Sequence, residues 1–327
     1  MKRILLLLLI VGMSLGILWF FTQKNPLQHF IYEGFDTWIE IDIPSRQRQV
    51  APVIEAVINE YDKRWDRFSP ESEIWKINHD YHPVEVNMVT LDILVEARRF
   101  HTMTEGYYNV FIGSLMDEWG FADHPRLPSP DRLHQLTEQI AGSDIEINEE
   151  RKTVQRLGEG TIDLGGIAKG YLVDIMVDEC KKHRITQALI NAGGTVYALG
   201  KAFRVGILHP RHSSIIGVIE VKDQAVSTSG DYFQYFEDDG VRYYHILNPF
   251  TGYPEHDFSS VTIVYPHATE ADVISTAVMA GGCSLIPFIE KRFPGVAIIA
   301  IRSNGEMFLN EAARSMFQPL PTEIPNP

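Results

Sequence analysis

Cysteine is all but missing from this 327-residue chain, which carries only Cys180 and Cys283. One disulfide is the most these can form, so a small disulfide-stapled scaffold is excluded. Cys180 falls on the inward side of a predicted helix, and a buried free thiol is expected for each. Basic residues are scarce as well: 29 Lys and Arg against 43 Asp and Glu give a net charge of −14. A surface this poor in cations argues against nucleic acid as a partner and against docking of the body on anionic lipid. Internal repeats and low-complexity blocks are absent. So are a Walker A loop, a GxGxxG fingerprint and a GxSxG elbow, although Ser, His and Asp all occur. What is present is a globular composition, 45% hydrophobic with 17 Phe and 13 Tyr. Chains that stay disordered lack such aromatics to bury. The length allows two domains or one large one.

The single long apolar run lies at the N-terminus. Lys2 and Arg3 precede ILLLLLIVGMSLGILWFF (residues 4–21), which is long enough to cross most of a bilayer core and ends in aromatics. No small-residue exit follows it. The expectation is therefore an uncleaved anchor over 1–25, single-pass, with the body on the extracytoplasmic (periplasmic) side of the cell membrane; a cleaved secretory signal is the alternative, with the same compartment. The body is expected over 26–318, followed by an irregular Pro-rich tail over 319–327.

Apolar residues at Val53, Val57, Ile58, Tyr61 and Trp65 predict a helix over 53–68, and a second amphipathic helix is predicted over 89–104. Ser129-Pro130-Asp131 reads as a helix start, and further helices are predicted over 167–183 and 269–279. Short β segments are expected around Ile145, Val154 and Ile162 and over 188–190, 204–207, 217–221, 243–246 and 260–264. Asp239-Gly240 and Asn304-Gly305 mark hairpin turns. Helices and strands mix without a βαβ rhythm, so the fold class expected is α+β, helices packed on largely antiparallel or mixed sheets.

Three segments can carry chemistry. In TIDLGGIAKGYLVD (161–174) a β stretch ends at Asp163, two glycines turn the chain, and a helix opens with Lys169 in its first turn. Such a junction either holds an anion on backbone N–H groups or is only a tight turn into a helix. In ATEADVISTAVMAGG (268–282) Asp272 can reach back to Thr269 as a capping box. Asp272 and Thr276 also stand four apart on one helix face, a hard-oxygen pair suited to Mg²⁺. In VRYYHILNPFTGYP (241–254) a strand carries His245, either a hydrogen-bonded structural residue or a catalyst.

Taken together, DLGGIAKGY, NAGG (191–194), STSGDY (227–232), HILNPFTGYP and ATEADVISTA resemble, in order and spacing, the FAD:protein FMN transferase (ApbE) family, as do FSPESEIWKIN (68–78) and GYYNVFIGSLMDEWGF (106–121) upstream. The resemblance spans roughly residues 30 to 315. It implies a flavin-binding cleft, FAD as substrate, Mg²⁺ as cofactor, and transfer of FMN through a phosphoester to a Thr or Ser of a membrane redox protein, with AMP released. Asp163, Lys169, Ile246 and Phe68 match FAD-contacting positions. Tyr107, Tyr108 and Asn109, standing in the family's GAFD signature, are counted with them. Gly166, through its carbonyl, and Asp272 and Thr276, through side chains, match the Mg²⁺ ligands. His245 matches the proposed general base, a role that its unperturbed pKa near 6.5 suits. Asn109 and Asn248 each replace a frequent family Asp, and Phe35-Asp36-Thr37 replaces Met-Gly-Thr. Two further readings share the cleft: a Mg²⁺-dependent FAD pyrophosphatase, and a tethered FAD-binding protein without catalysis.

Overall fold

The computed structural model describes residues 26–320, and its frame is an eight-stranded antiparallel sheet assembled from segments far apart in sequence. The chain opens with β1 (Leu27–Gly34) and β2 (Thr37–Pro44), a hairpin closed by Phe35-Asp36. Both turn residues have φ 54°, the conformation that Asn-Gly supplies without strain. Here a bulky Phe adopts it because the Phe35 N–H donates to Asp62 Oδ1 (2.7 Å) and its ring meets Trp65 edge-on at 5.9 Å. Nothing in the local sequence announces this hairpin.

Next come α1 (Ala51–Trp65), α2 (Glu73–His79), β3 (Val84–Glu85), α3 (Met88–Met103), α4 (Gly113–Trp119) and α5 (Pro130–Ala141). The α5 start is as expected: Ser129 Oγ accepts from the Arg132 N–H. Strands β4 (Asp144–Asn148) and β5 (Thr153–Leu157) join β3 in a small sheet, and α6 (Ala168–Lys182) follows. The strand expected at Ile162 is absent. Thr161 forms only a single parallel bridge to Ile112, and Asp163 follows in irregular chain, its N–H donated to the Val110 carbonyl.

Strands β6 (Ala188–Ala192), β7 (Thr195–Leu199), β8 (Phe203–Leu208), β9 (Ile215–Val221), β10 (Gln224–Gly230), β11 (Tyr235–Asp238), β12 (Val241–Tyr244) and β13 (Phe258–Tyr265) lead to α7 (Ala268–Gly281). The chain closes with α8 (Ile286–Arg292), β14 (Ala297–Arg302), β15 (Met307–Leu309), α9 (Glu311–Met316) and β16 (Phe317–Pro319). The large sheet runs β1-β2-β6-β7-β10-β13-β14-β15. Both turn signals, Asp239-Gly240 and Asn304-Gly305, join the hairpins expected of them.

Helices α6 and α7 cover one face of the large sheet. The sheet β16-β9-β8 covers the other, closing a second apolar cluster with Ile219, Val226, Val264, Ile299 and Phe317. The α+β class expected from the sequence is the class observed. Pairing reaches Pro319, one residue into the segment read as an irregular tail. The N-terminal anchor and residues 321–327 lie outside the described residues. Among those described, no helix is long and apolar enough to cross a membrane.

Candidate active site

The site is built where α6 and α7 cross. At Gly170 a Cβ would stand 2.5 Å from the Ala268 carbonyl oxygen and 2.7 Å from Asp272 Cβ, so only glycine lets the helices approach this closely. The first turn of α6 has N–H groups without helical partners. One of them, on Gly170, donates to Asp272 Oδ2 (2.9 Å). A carboxylate at that helix end is also favoured by the helix dipole. The Ala168 N–H donates to the Leu164 carbonyl and the Tyr171 N–H to the Ile167 carbonyl, but the Gly170 N–H goes to Asp272, which leaves the Gly166 carbonyl without its helical donor.

Asp272 does not serve the capping box expected of it. The N–H groups of Ala268 and Thr269, both at 2.9 Å, and the Thr269 hydroxyl at 2.6 Å all donate to Asp174 of α6 instead. Each helix thus caps the other, and Asp272 is released from local duty. Its Oδ1 accepts from Ser227 Oγ (3.2 Å), which is itself paired with Thr195 Oγ1 at 2.9 Å. Each carboxylate oxygen keeps a lone pair. Helix α7 is buried along its length except at Glu270 and Thr276. Thr276 is the residue that meets Gly166: a Cβ there would stand 3.1 Å from Thr276 Cγ2, 3.5 Å from its Oγ1 and 3.3 Å from Tyr108 Cε2. Asp272 and Thr276, four apart on α7, and Gly166 beside Thr276 thus offer hard oxygens whose chemistry suits Mg²⁺, a cation that takes few protein ligands. Among the described residues, no three His, Cys, Asp or Glu side chains converge as a cage for another metal.

Around this set stand further expected residues. Tyr108 is 3% exposed, its hydroxyl has no partner, and burial, then Asp163 and Asp272, push its pKa well above the ordinary value. Asp163 Oδ1 accepts from the Gly165 N–H (2.7 Å), and its Oδ2 pairs with Arg67 Nε at 2.8 Å. Arg67 also forks onto Asp117 (2.7 and 3.2 Å) and lies 4.2 Å over the ring of Phe68, which is 59% exposed. Lys169 Nζ donates to the Gly165 carbonyl (3.0 Å), and its stem lies beside the turn at Gly193, where Thr37 packs.

His245 lies one residue past the end of β12 rather than within the strand, held by its N–H on the Gln234 carbonyl (3.1 Å). Its Nδ1 is buried and unpartnered. The expected pKa near 6.5 does not hold. Burial, and then the positive charge of Lys169, lower it to about 4.

Tyr107, Asn109 and Ile246 complete the residues named by the resemblance. Tyr107 packs edge-on against Phe250 at 5.0 Å, and Asn109 Oδ1 accepts from the Phe111 N–H (2.9 Å). Ile246 is buried. Asn248 Oδ1 likewise accepts from the Phe250 N–H (2.9 Å). At both asparagines an amide oxygen performs the turn-forming task a carboxylate would. Local sequence does not reveal Arg67, Asp174 or Thr195, nor the link from Ser227 of STSGDY to Asp272. Asp174 closed a segment already singled out, whereas nothing local marked Arg67.

The ApbE family model matches residues 35–300. The FAD:protein FMN transferase of Treponema pallidum is 33% identical over 242 residues, 67% of each chain. One from Klebsiella pneumoniae is 28% identical over 290 residues, 86% of this chain and 91% of that one. Among solved structures, the ApbE protein of Thermotoga maritima superposes with a TM-score of 0.82 at 29% identity, covering 89% of this chain and 99% of that one. The motifs that suggested the resemblance fall inside the matched span, and the fold superposes over 89% of the chain: this chain belongs to the ApbE family.

Proposed function

We propose that this chain is an FAD:protein FMN transferase that uses Mg²⁺ to cleave FAD, joins FMN through a phosphoester to a Thr or Ser of an acceptor redox protein, and releases AMP. The observation that carries the reading is the α6–α7 junction, where Asp272 is freed from capping its own helix and fixed by Gly170 and Ser227 beside Thr276 and Gly166. Bound there, Mg²⁺ would neutralise the diphosphate charge and polarise the phosphorus under attack.

The remaining work falls to the chain itself. The helix end at Gly165-Gly166 and the ammonium of Lys169 attract phosphate. The acceptor hydroxyl oxygen attacks the phosphorus attached to riboflavin; its new P–O bond forms as the bond to the AMP phosphate breaks. The hydroxyl proton passes to His245, which the lowered pKa keeps neutral at pH 7 and able to accept it. A phosphate beside Lys169 offsets the charge that weakens His245 as a base. The reading without catalysis loses its motive, because Asn109 and Asn248 both make turn hydrogen bonds that need only an amide oxygen. Tethering to the membrane through residues 1–25, with the body outside the cytoplasm, belongs to the same proposal.

Incubation with FAD and Mg²⁺, with and without an acceptor protein, tests it by AMP release and by flavin retained on denatured acceptor. AMP formed equally without acceptor, and no bound flavin, would turn the assignment into a pyrophosphatase. No AMP under either condition would leave a binding protein.

A further inference from the structure

Tyr108 carries a buried polar atom that nothing in the protein satisfies. Its backbone N–H is fixed on Thr104 Oγ1 (3.1 Å), its side chain is buried, and its hydroxyl has no partner. Buried phenols ordinarily find one. The ring carbon next to the hydroxyl-bearing carbon lies 3.3 Å from the place of a Cβ on Gly166, with Thr276 Oγ1 3.5 Å from the same point. Asp163 and Asp272 are near enough for their charges to act on the phenol, yet neither accepts its proton. The hydroxyl is thus a donor held ready beside the α6 N-terminus, where a phosphate is attracted. In the GAFD signature this position is Phe, so the hydroxyl is what Tyr108 adds to the shared aromatic packing.

We infer that the Tyr108 hydroxyl binds the diphosphate of the substrate, donating a hydrogen bond to a non-bridging phosphate oxygen next to Gly166. The inference rests on the reading of the cleft as an FAD site. Tyr108→Phe keeps the ring and deletes the donor. With Mg²⁺ present, affinities of the parent and the variant are measured for FAD, for ADP, which carries the diphosphate without flavin, and for riboflavin, which carries the flavin without phosphate. Melting temperatures are taken without ligand. The expected result is about tenfold or greater weakening for FAD and ADP, the worth of a hydrogen bond to a charged group, with riboflavin affinity unchanged. The ligand-free variant should melt at the parent's temperature or above it, because an unsatisfied buried hydroxyl is gone. Equal affinities for FAD and ADP in the two proteins would overturn the inference while the cleft reading stands. So would riboflavin weakened as much as FAD, or a ligand-free melting temperature several degrees lower, which would mean the hydroxyl had a structural partner. A parent that binds neither FAD nor ADP would sink the cleft reading and the inference with it.

Discussion

Toward α7, strand β10 turns Ser227 and Ser229, which pair with Asp272 and Ser275; on its other face Val226 enters an apolar cluster with Ile219, Val264 and Phe317. Neighbouring residues of one strand thus serve two environments. The outer face buries mainly apolar groups beside the Thr228–Thr262 hydroxyl pair (2.8 Å), and its main contribution is the transfer of hydrocarbon out of water. The inner face also buries hydroxyls and a carboxylate, which contribute little net stability even when paired and cost much when unpaired. It also leaves Tyr108 and His245 Nδ1 unpartnered. The face that is worse for folding is therefore the one to test for chemistry. Substitutions on the two faces should therefore separate cleanly, inner ones acting on rate and outer ones on stability.

The largest effect expected is His245→Asn, which should slow FMN transfer about 10²–10⁴-fold, the usual worth of a general base, while FAD binding and melting temperature stay near the parent's. Saturating Mg²⁺ should not restore it. A transfer rate equal to the parent's would remove His245 from the chemistry. On the opposite face, Ile219→Ala leaves a cavity in a fully buried position and should cost about 2–5 kcal/mol of stability. Its kcat per folded molecule should be unchanged below the transition, as denaturant titration and rates on one preparation will tell. A comparable loss of kcat would mean that the two faces are coupled and the contrast is false.

Asp272→Asn tests the inner face more finely. It should lower transfer about 100-fold at limiting Mg²⁺ and recover in part as Mg²⁺ rises, because the substitution keeps shape and removes charge. The cost in stability should be only about 1 kcal/mol, since one of two accepted hydrogen bonds is lost. A Mg²⁺ titration that superposes on the parent's would overturn the metal assignment.

How far the sequence revealed this arrangement depends on whether the determining contact was local. Periodicity placed α1 and α3, the Ser129-Pro130-Asp131 start placed α5, helices were also expected at α6 and α7, and Gly-containing turns placed the hairpins at Asp239-Gly240 and Asn304-Gly305. The β1–β2 hairpin was illegible because its Phe35-Asp36 turn is enforced by Asp62 and Trp65. Ordered motifs named most of the residues that meet at the α6–α7 junction. Their roles were another matter, since the cap of α7 comes from Asp174, 95 residues before Thr269, and no spacing rule spans that distance. Nor could the sequence show that burial and Lys169 would lower the pKa of His245.

That lowered pKa makes the smallest predicted effect, and its sign can be worked out. Unfolded, His245 titrates near 6.5; folded, near 4. Between these values the unfolded state binds the additional proton, so stability must fall as pH is lowered from 6.5 toward 4 and must be insensitive to this residue above about 7. The ring is only partly enclosed, which reduces the full shift to about 1–2 kcal/mol lost by pH 5. The many carboxylates of this acidic chain also titrate in that range, and a difference measurement removes them. The stability of the parent minus that of His245→Asn should be flat from pH 8 to 7 and decline by that amount from pH 6.5 to 5, with Asn uncharged throughout. A difference that rises on acidification would mean that His245 is protonated in the folded protein and paired with an acid, and the inner face would lose its claim to a neutral, unpartnered base.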